Sequence, residues 1–132
     1  MLHQMILVFL GGAIGAAMRE TMVFAGMNFH NHYPTAILVA NLTAAFFIGF
    51  VTALTGKNGP IERKTQLFYN TGMMGGMSTF STLIWGTLVL LVLEQHQIWI
   101  GITYLVVSIM AGIALVQLGL RLGALRRESR LK

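Results

Sequence analysis

Long apolar runs recur four times along the chain, separated by short polar breaks. Residues 36–55, 65–93 and 97–120 contain no Asp, Glu, Lys, Arg or His, and residues 2–27 carry only His3, Arg19 and Glu20. About 20 apolar residues in a helix cross the roughly 30 Å hydrocarbon core of a bilayer. Lipid offers no hydrogen bonds to the backbone, so such runs must be helices or strands of a closed barrel. Barrel strands are about half as long and alternate in polarity, and these runs do neither. The pattern therefore predicts four membrane-spanning helices, at about 2–27, 35–55, 64–93 and 97–123, in one transmembrane domain covering residues 1–132. The fold class is all-α. Four spans consume nearly the whole chain and leave no room for a soluble catalytic domain. The first run reads as a span and not a removable leader, because no Lys or Arg precedes it and it is too long.

Small and polar residues punctuate the runs. Gly11 and Gly15 lie four apart on one helix face, where small residues let a second helix approach closely. The segment from Asn28 to Pro34 reads as a loop ending in a proline suited to a helix start, and Gly56 to Pro60 reads as a breaker. The third span is unusual. As one helix, residues 65–93 would be about 43 Å long, roughly 13 Å more than the hydrocarbon core. Its middle reads Gly72-Met-Met-Gly75-Gly76-Met77-Ser78-Thr79-Phe80-Ser81-Thr82. Glycines cost about 1 kcal/mol each inside a helix, and Ser and Thr compete for nearby backbone groups. A break is expected near residues 75–78. Unwound backbone at membrane depth persists where it is buried in protein or lines a cavity. Broken helices in transport proteins use freed carbonyls for cations and freed amides for anions.

Composition agrees with lipid as the main solvent. Of 132 residues, 55% are hydrophobic and only 10% charged, against about 25% charged in soluble domains. The net charge of +5 does not indicate nucleic acid, because the positive residues flank spans. Lys57, Arg63, Lys64, Arg121, Arg126, Arg127, Arg130 and Lys132 follow the second and fourth spans, and the other two connections carry no Lys or Arg. Eight against zero places both termini in the cytoplasm of a multi-pass cell-membrane protein. Enzyme chemistry is not expected: there is no phosphate-binding glycine loop followed by Lys, and no cluster of metal-spaced His or Cys. His3, His30, His32 and His96 are terminal or in connections, and cysteine is absent.

Three motifs resemble those of the CrcB/Fluc fluoride channels. Gly11-Gly12-Ala13-Ile14-Gly15-Ala16-Ala17-Met18-Arg19 resembles the first-helix signature. Val39-Ala40-Asn41-Leu42 through Phe46 and Gly49 resembles the second, and Gly75-Gly76-Met77-Ser78-Thr79-Phe80-Ser81-Thr82 resembles the third. The resemblance implies passive fluoride export through an antiparallel dimer with two narrow pores. It also implies a structural sodium ion at the dimer centre, held by backbone carbonyls of Gly75 and Ser78. It implies a fluoride pathway past Asn41, Phe80, Ser81 and Thr82, and its first-helix arginine matches Arg19, which reads either as a pore-mouth charge that attracts anions or as a side chain snorkelling toward the interface. The chemistry is coherent. Asn41 offers two amide protons and hydroxyls one each. A phenyl edge is electropositive, and a bound cation favours anions nearby.

The chain departs from the family pattern in places. Leu83 stands where a second phenylalanine is usual, Ala36-Ile37 replaces Gly-Thr, and Glu20 follows Arg19 in place of an aromatic residue. Gly112 and Val116 stand near positions that often carry hydroxyls. Arg19 and Glu20, adjacent on a helix, are not expected to pair, since neighbours point about 100° apart. The charge bias predicts a single insertion direction, so an antiparallel dimer calls for a paralogous partner of reversed bias. Two other functions fit parts of the sequence. One is a proton-coupled small multidrug transporter relying on Glu20. The other is a non-conducting subunit that completes a partner's pore.

Overall fold

The computed structural model describes the backbone at residues 1–30, 33–56, 60–92 and 98–131. His32, Lys57, His96 and Lys132 lie outside these residues, and burial is not described for His30 or Arg130. All the described elements are helical. They are α1 (Leu2–His30), α2 (Tyr33–Thr55), α3 (Pro60–Gln66), a π-helical segment (Leu67–Met74), α4 (Gly75–Met77), α5 (Phe80–Val92) and α6 (Ile98–Leu131). Four runs are long and apolar enough to cross a membrane: Leu2–Gly26, Pro34–Thr55, Arg63–Val92 and Ile98–Ser129.

Several boundaries differ from the expected ones. α1 continues through Asn28 and Phe29 to His30, which were expected in the loop. No Gly or Pro interrupts those residues, so nothing stops the helix there. Pro34 is the second residue of α2, where its missing N–H costs nothing. α6 runs to Leu131, past the expected end at 123, because Leu, Ala, Arg and Glu are strong helix formers. At 34 residues it is about 51 Å long and extends well beyond a hydrocarbon core. α2 ends at Thr55, and the Gly56 that follows has a left-handed φ of 68°, which suits the residue after a helix end. A Cβ at Gly56 would come within 2.8 Å of the Arg127 guanidinium, so the ends of α2 and α6 meet.

Two close helix pairs organise the bundle, with α1 along the third span and α2 along α6. Both rest on glycine. A Cβ at Gly15 would collide with the Met73 carbonyl, and one at Gly76 with the Gly12 carbonyl. Gly49 lies in the same way on the Val116 carbonyl, and Gly119 on the Phe46 carbonyl. In lipid, where hydrophobicity does not drive helices together, this close packing supplies much of the association. The buried core is correspondingly small. Ala44, Met74 and Met77 form one cluster, and Val23, Ala36 and Ile37 another. Large apolar side chains cover the outside instead, among them Phe9, Phe24, Trp99 and Met110.

Candidate functional site

The third span changes character twice before it stops. After Gln66 the turns widen into the π-helical segment, and the Gly75 N–H reaches back five residues to the Asn70 carbonyl. α4 adds one ordinary turn. Ser78 then takes φ −97° and ψ 125°, an extended conformation. α5 starts two residues later, at Phe80.

Hydrogen bonding at this point is partly diverted. The Ser78 N–H donates to the Met74 carbonyl at 2.9 Å, closing the last turn normally. The Thr79 N–H instead donates to Asn41 Oδ1 on α2, at 3.2 Å. A continuing α-helix would have given that amide to the Gly75 carbonyl. Gly75 thus loses its ordinary helical donor. On the other side, Thr79 caps α5, and its carbonyl takes the first bond, from Leu83 N–H at 3.3 Å. The amides of Phe80, Ser81 and Thr82 have no intrahelical acceptor and carry the partial positive charge of a helix start. Carbonyl-rich and amide-rich helix ends therefore adjoin across Ser78 and Thr79.

Asn41 acts as a bridge and keeps spare capacity. Its oxygen is taken by Thr79, while among the described residues no protein acceptor takes its two amide protons. Phe80 is 72% exposed, which excludes core packing within this chain. Ser81 is exposed beside it. Thr82 is half-buried, and its hydroxyl donates to the Thr79 carbonyl at 2.9 Å. The Thr79 hydroxyl in turn contacts that of Thr82. Leu83 is buried, at the interior face of α5 with Gly86 and Thr87.

Arg19 reaches the same place from α1. One terminal nitrogen lies 3.5 Å from the Gly76 carbonyl. The expectation that Arg19 and Glu20 stay apart is overturned: Nη2 lies 3.0 Å and Nε 3.3 Å from Glu20 Oε1. The two side chains diverge at their roots, but both are long enough to fold back toward each other. Pairing also relieves the cost of isolated charges in a span. Of the residues singled out in the sequence, Asn41, Arg19 and Gly76 thus converge on the interruption, while Phe80 and Ser81 point away from their own chain.

Two polar groupings were not anticipated. Gln66 Nε2 donates to Thr55 Oγ1 at 3.0 Å and to the Gly56 carbonyl at 2.9 Å. One turn on, Asn70 Nδ2 donates to Thr52 Oγ1 at 2.7 Å, and Asn70 Oδ1 is buried without a partner among the described residues. Polar residues four apart on one span and three apart on another were the available signal. On α6, Ser108 donates to the Tyr104 carbonyl at 2.5 Å, and Tyr104 Oη donates to the Pro34 carbonyl at 2.9 Å. Gly112 continues that stripe, and a Cβ there would meet nothing within 4 Å. Among the described residues, no group of three or more His, Cys, Asp or Glu is placed to hold a metal.

Comparison with known proteins gives this arrangement a family. A profile described as "CrcB-like protein, Camphor Resistance (CrcB)" matches residues 6–120. The chain is 38% identical over 121 residues to "Fluoride-specific ion channel FluC 3" of Yersinia pseudotuberculosis, covering 92% of this chain and 89% of that protein. It is 33% identical over 118 residues to "Fluoride-specific ion channel FluC" of Clostridium perfringens, covering 89% and 91% respectively. "Fluoride-specific ion channel FluC 1" of Brucella abortus is 39% identical over 123 residues, and this chain spans only 45% of its length. With helices, motifs and relatives in agreement, the chain belongs to the CrcB family of membrane proteins.

Proposed function

We propose that this protein is a subunit of a fluoride channel that lets fluoride leave the cytoplasm passively, lowering its toxicity. Membership in the CrcB family supports the reading. The observation that carries it is the bond from Thr79 N–H to Asn41 Oδ1. It occupies the one acceptor on Asn41 that would repel an anion and leaves two amide donors beside a positive helix start. Fluoride passes Asn41, Phe80, Ser81 and Thr82, with the Phe80 ring edge and the Ser81 hydroxyl offered to it. Arg19 draws the anion toward the mouth.

The exposed Phe80 and Ser81 are completed by a second subunit in an antiparallel dimer. Sodium fits the donor set at the centre as a structural ion that is not transported. The residues that would hold it are Gly75 and Ser78, through their backbone carbonyls. The Thr79 amide is diverted from Gly75, and Gly75 is open to approach, its nearest neighbour being the Asn70 carbonyl at 3.9 Å from a built Cβ. A hard cation takes carbonyl oxygens readily. Its charge would favour anions nearby.

Eight Lys and Arg on one side against none on the other fix a single insertion direction with both termini cytoplasmic. The opposed subunit is then a paralogue of reversed bias. The two pores of such a dimer are unequal, since each draws residues from both chains. One observation favours a second reading, in which this chain completes its partner's pore without conducting through its own. The Thr82 hydroxyl is spent on the Thr79 carbonyl, and Leu83 brings no aromatic edge. The multidrug-transporter reading has no such support, because Glu20 is tied to Arg19.

The test is fluoride efflux from reconstituted vesicles, read with a fluoride electrode, for the chain alone and for the chain co-expressed with a four-span protein of reversed charge bias. Efflux from the co-expressed pair but not from the lone chain is expected. Absence of efflux from both rejects the channel reading, and strong efflux from the lone chain rejects the paralogue.

A further inference from the structure

We infer that Glu20 limits fluoride flux by neutralising Arg19 beside the interrupted third span, an inference that rests on the fluoride-channel reading above. Arg19 and Glu20 are the only Asp, Glu, Lys or Arg in the first 56 residues. The guanidinium divides its donors between two acceptors. Nη1 reaches the Gly76 carbonyl at 3.5 Å, and Nη2 and Nε face Glu20 Oε1 at 3.0 and 3.3 Å. Gly76 lies three residues before Thr79, whose amide is bonded to Asn41. The carboxylate is thus attached, through one guanidinium, to the backbone that carries the candidate anion path.

The arrangement has an electrostatic consequence. A lone guanidinium at a narrow mouth with low-dielectric walls would concentrate fluoride there. With Glu20 3.0 Å away the pair is a dipole, and its field on an approaching anion falls off much faster than that of a net charge. The Glu20 side chain is 69% exposed and that of Arg19 only 20%, so the negative end is the outer one. Glu20 also anchors the guanidinium, which is why the substitution must keep a hydrogen-bond acceptor: Glu20→Gln retains an oxygen for Arg19 and removes only the charge.

The experiment compares initial fluoride efflux from vesicles of neutral lipid for the wild-type protein, Glu20→Gln and Glu20→Ala, purified with its partner subunit. Removing one unit charge about 10 Å from a permeating anion changes its local concentration by about two- to tenfold, depending on the effective dielectric. Glu20→Gln is expected to raise efflux by that factor at subsaturating fluoride and low ionic strength. The gain should shrink in about 1 M salt of a non-permeant anion, where the screening length is about 3 Å. Glu20→Ala should move the rate in the same direction, which separates charge from packing. Efflux from Glu20→Gln equal to or below that of the wild type, or a gain insensitive to salt, overturns the inference and leaves the channel reading standing. Failure of both variants to fold also overturns it, by showing that the acid serves only to hold Arg19 within the span. A wild-type protein that conducts no fluoride rejects the channel reading itself.

Discussion

Thr79 donates its backbone N–H to the side-chain oxygen of Asn41, 3.2 Å away on another helix. That bond joins the second and third spans, takes from Gly75 the amide a continuous helix would give it, and leaves the Asn41 amide protons without an acceptor among the described residues. The roles of acceptor and donor on Asn41 are therefore separable. Asn41→Asp keeps the acceptor for Thr79 but replaces the two donors by negative charge. It should reduce fluoride efflux at least tenfold, given about 1.5–3 kcal/mol per hydrogen bond to a charged group, and should also lower the thermal midpoint in detergent, because it leaves an unpaired carboxylate within a span. Asn41→Leu should lose efflux and also about 1 kcal/mol of stability. Wild-type efflux from Asn41→Asp would remove Asn41 from the pathway.

Gly75 separates the chain's own fold from its assembly. A Cβ there meets only the Asn70 carbonyl, at 3.9 Å, so the chain accommodates Gly75→Ala. If Gly75 faces a second subunit across a sodium ion, the same methyl obstructs that approach. Size-exclusion with light scattering should show Gly75→Ala folded but dissociated. Replacing sodium by a large organic cation should weaken the wild-type dimer in the same assay. A stable Gly75→Ala dimer, indifferent to sodium, would contradict the proposed centre.

Gly15 carries the opposite expectation. Its position against the Met73 carbonyl leaves no space for a side chain, so α1 must move outward in Gly15→Val. A loss of about 1–3 kcal/mol is expected from overpacking. Thermal unfolding followed by circular dichroism in detergent measures it.

Asn70 presents a test of buried polarity. Its amide bonds to Thr52, but its oxygen is buried without a partner among the described residues. An unsatisfied buried acceptor costs about 1–3 kcal/mol, more than a typical net hydrogen bond contributes. Asn70→Leu should therefore be neutral or stabilising by thermal unfolding. A clear loss of stability would mean that the oxygen has a donor outside the chain.

Gly112 offers a place to restore a hydroxyl. A Cβ there meets nothing within 4 Å, and Ser108 lies one turn away. Serine exceeds glycine in helix propensity by about 0.5 kcal/mol. Gly112→Ser should raise the thermal midpoint slightly. If the α6 stripe lines a pore of this subunit, efflux should rise as well.

Much of this architecture was legible in the order of residues. Four spans follow from apolar length alone, because lipid forbids unpaired backbone. The close approach at Gly15 was legible from small residues four apart, although which helix approaches was not. Gly49 and Gly119 show the limit. They are 70 residues apart in sequence, and only the docking of α2 on α6 makes each the other's reason. Arg19 and Glu20 pair although helix geometry parts them at their roots, because both side chains are long enough to fold back toward each other. The ladder of Gln66, Asn70, Thr52 and Thr55 is not legible in the sequence, since each residue alone is an ordinary polar guest in an apolar span.

What the residues determined by themselves was that lipid is the main solvent of the chain and that four runs are long and apolar enough to cross it. Those are properties of local composition: lipid accepts only helices here, and adjacent glycines followed by hydroxyls weaken one wherever they occur. Tertiary structure decided which groups the weak point would face. A diverted amide needs an acceptor at one place in space, and Asn41 reaches it only because α2 lies alongside. The same docking exposes Phe80 and buries Leu83, three residues apart on one helix, a distinction made by neighbours and not by the chain itself.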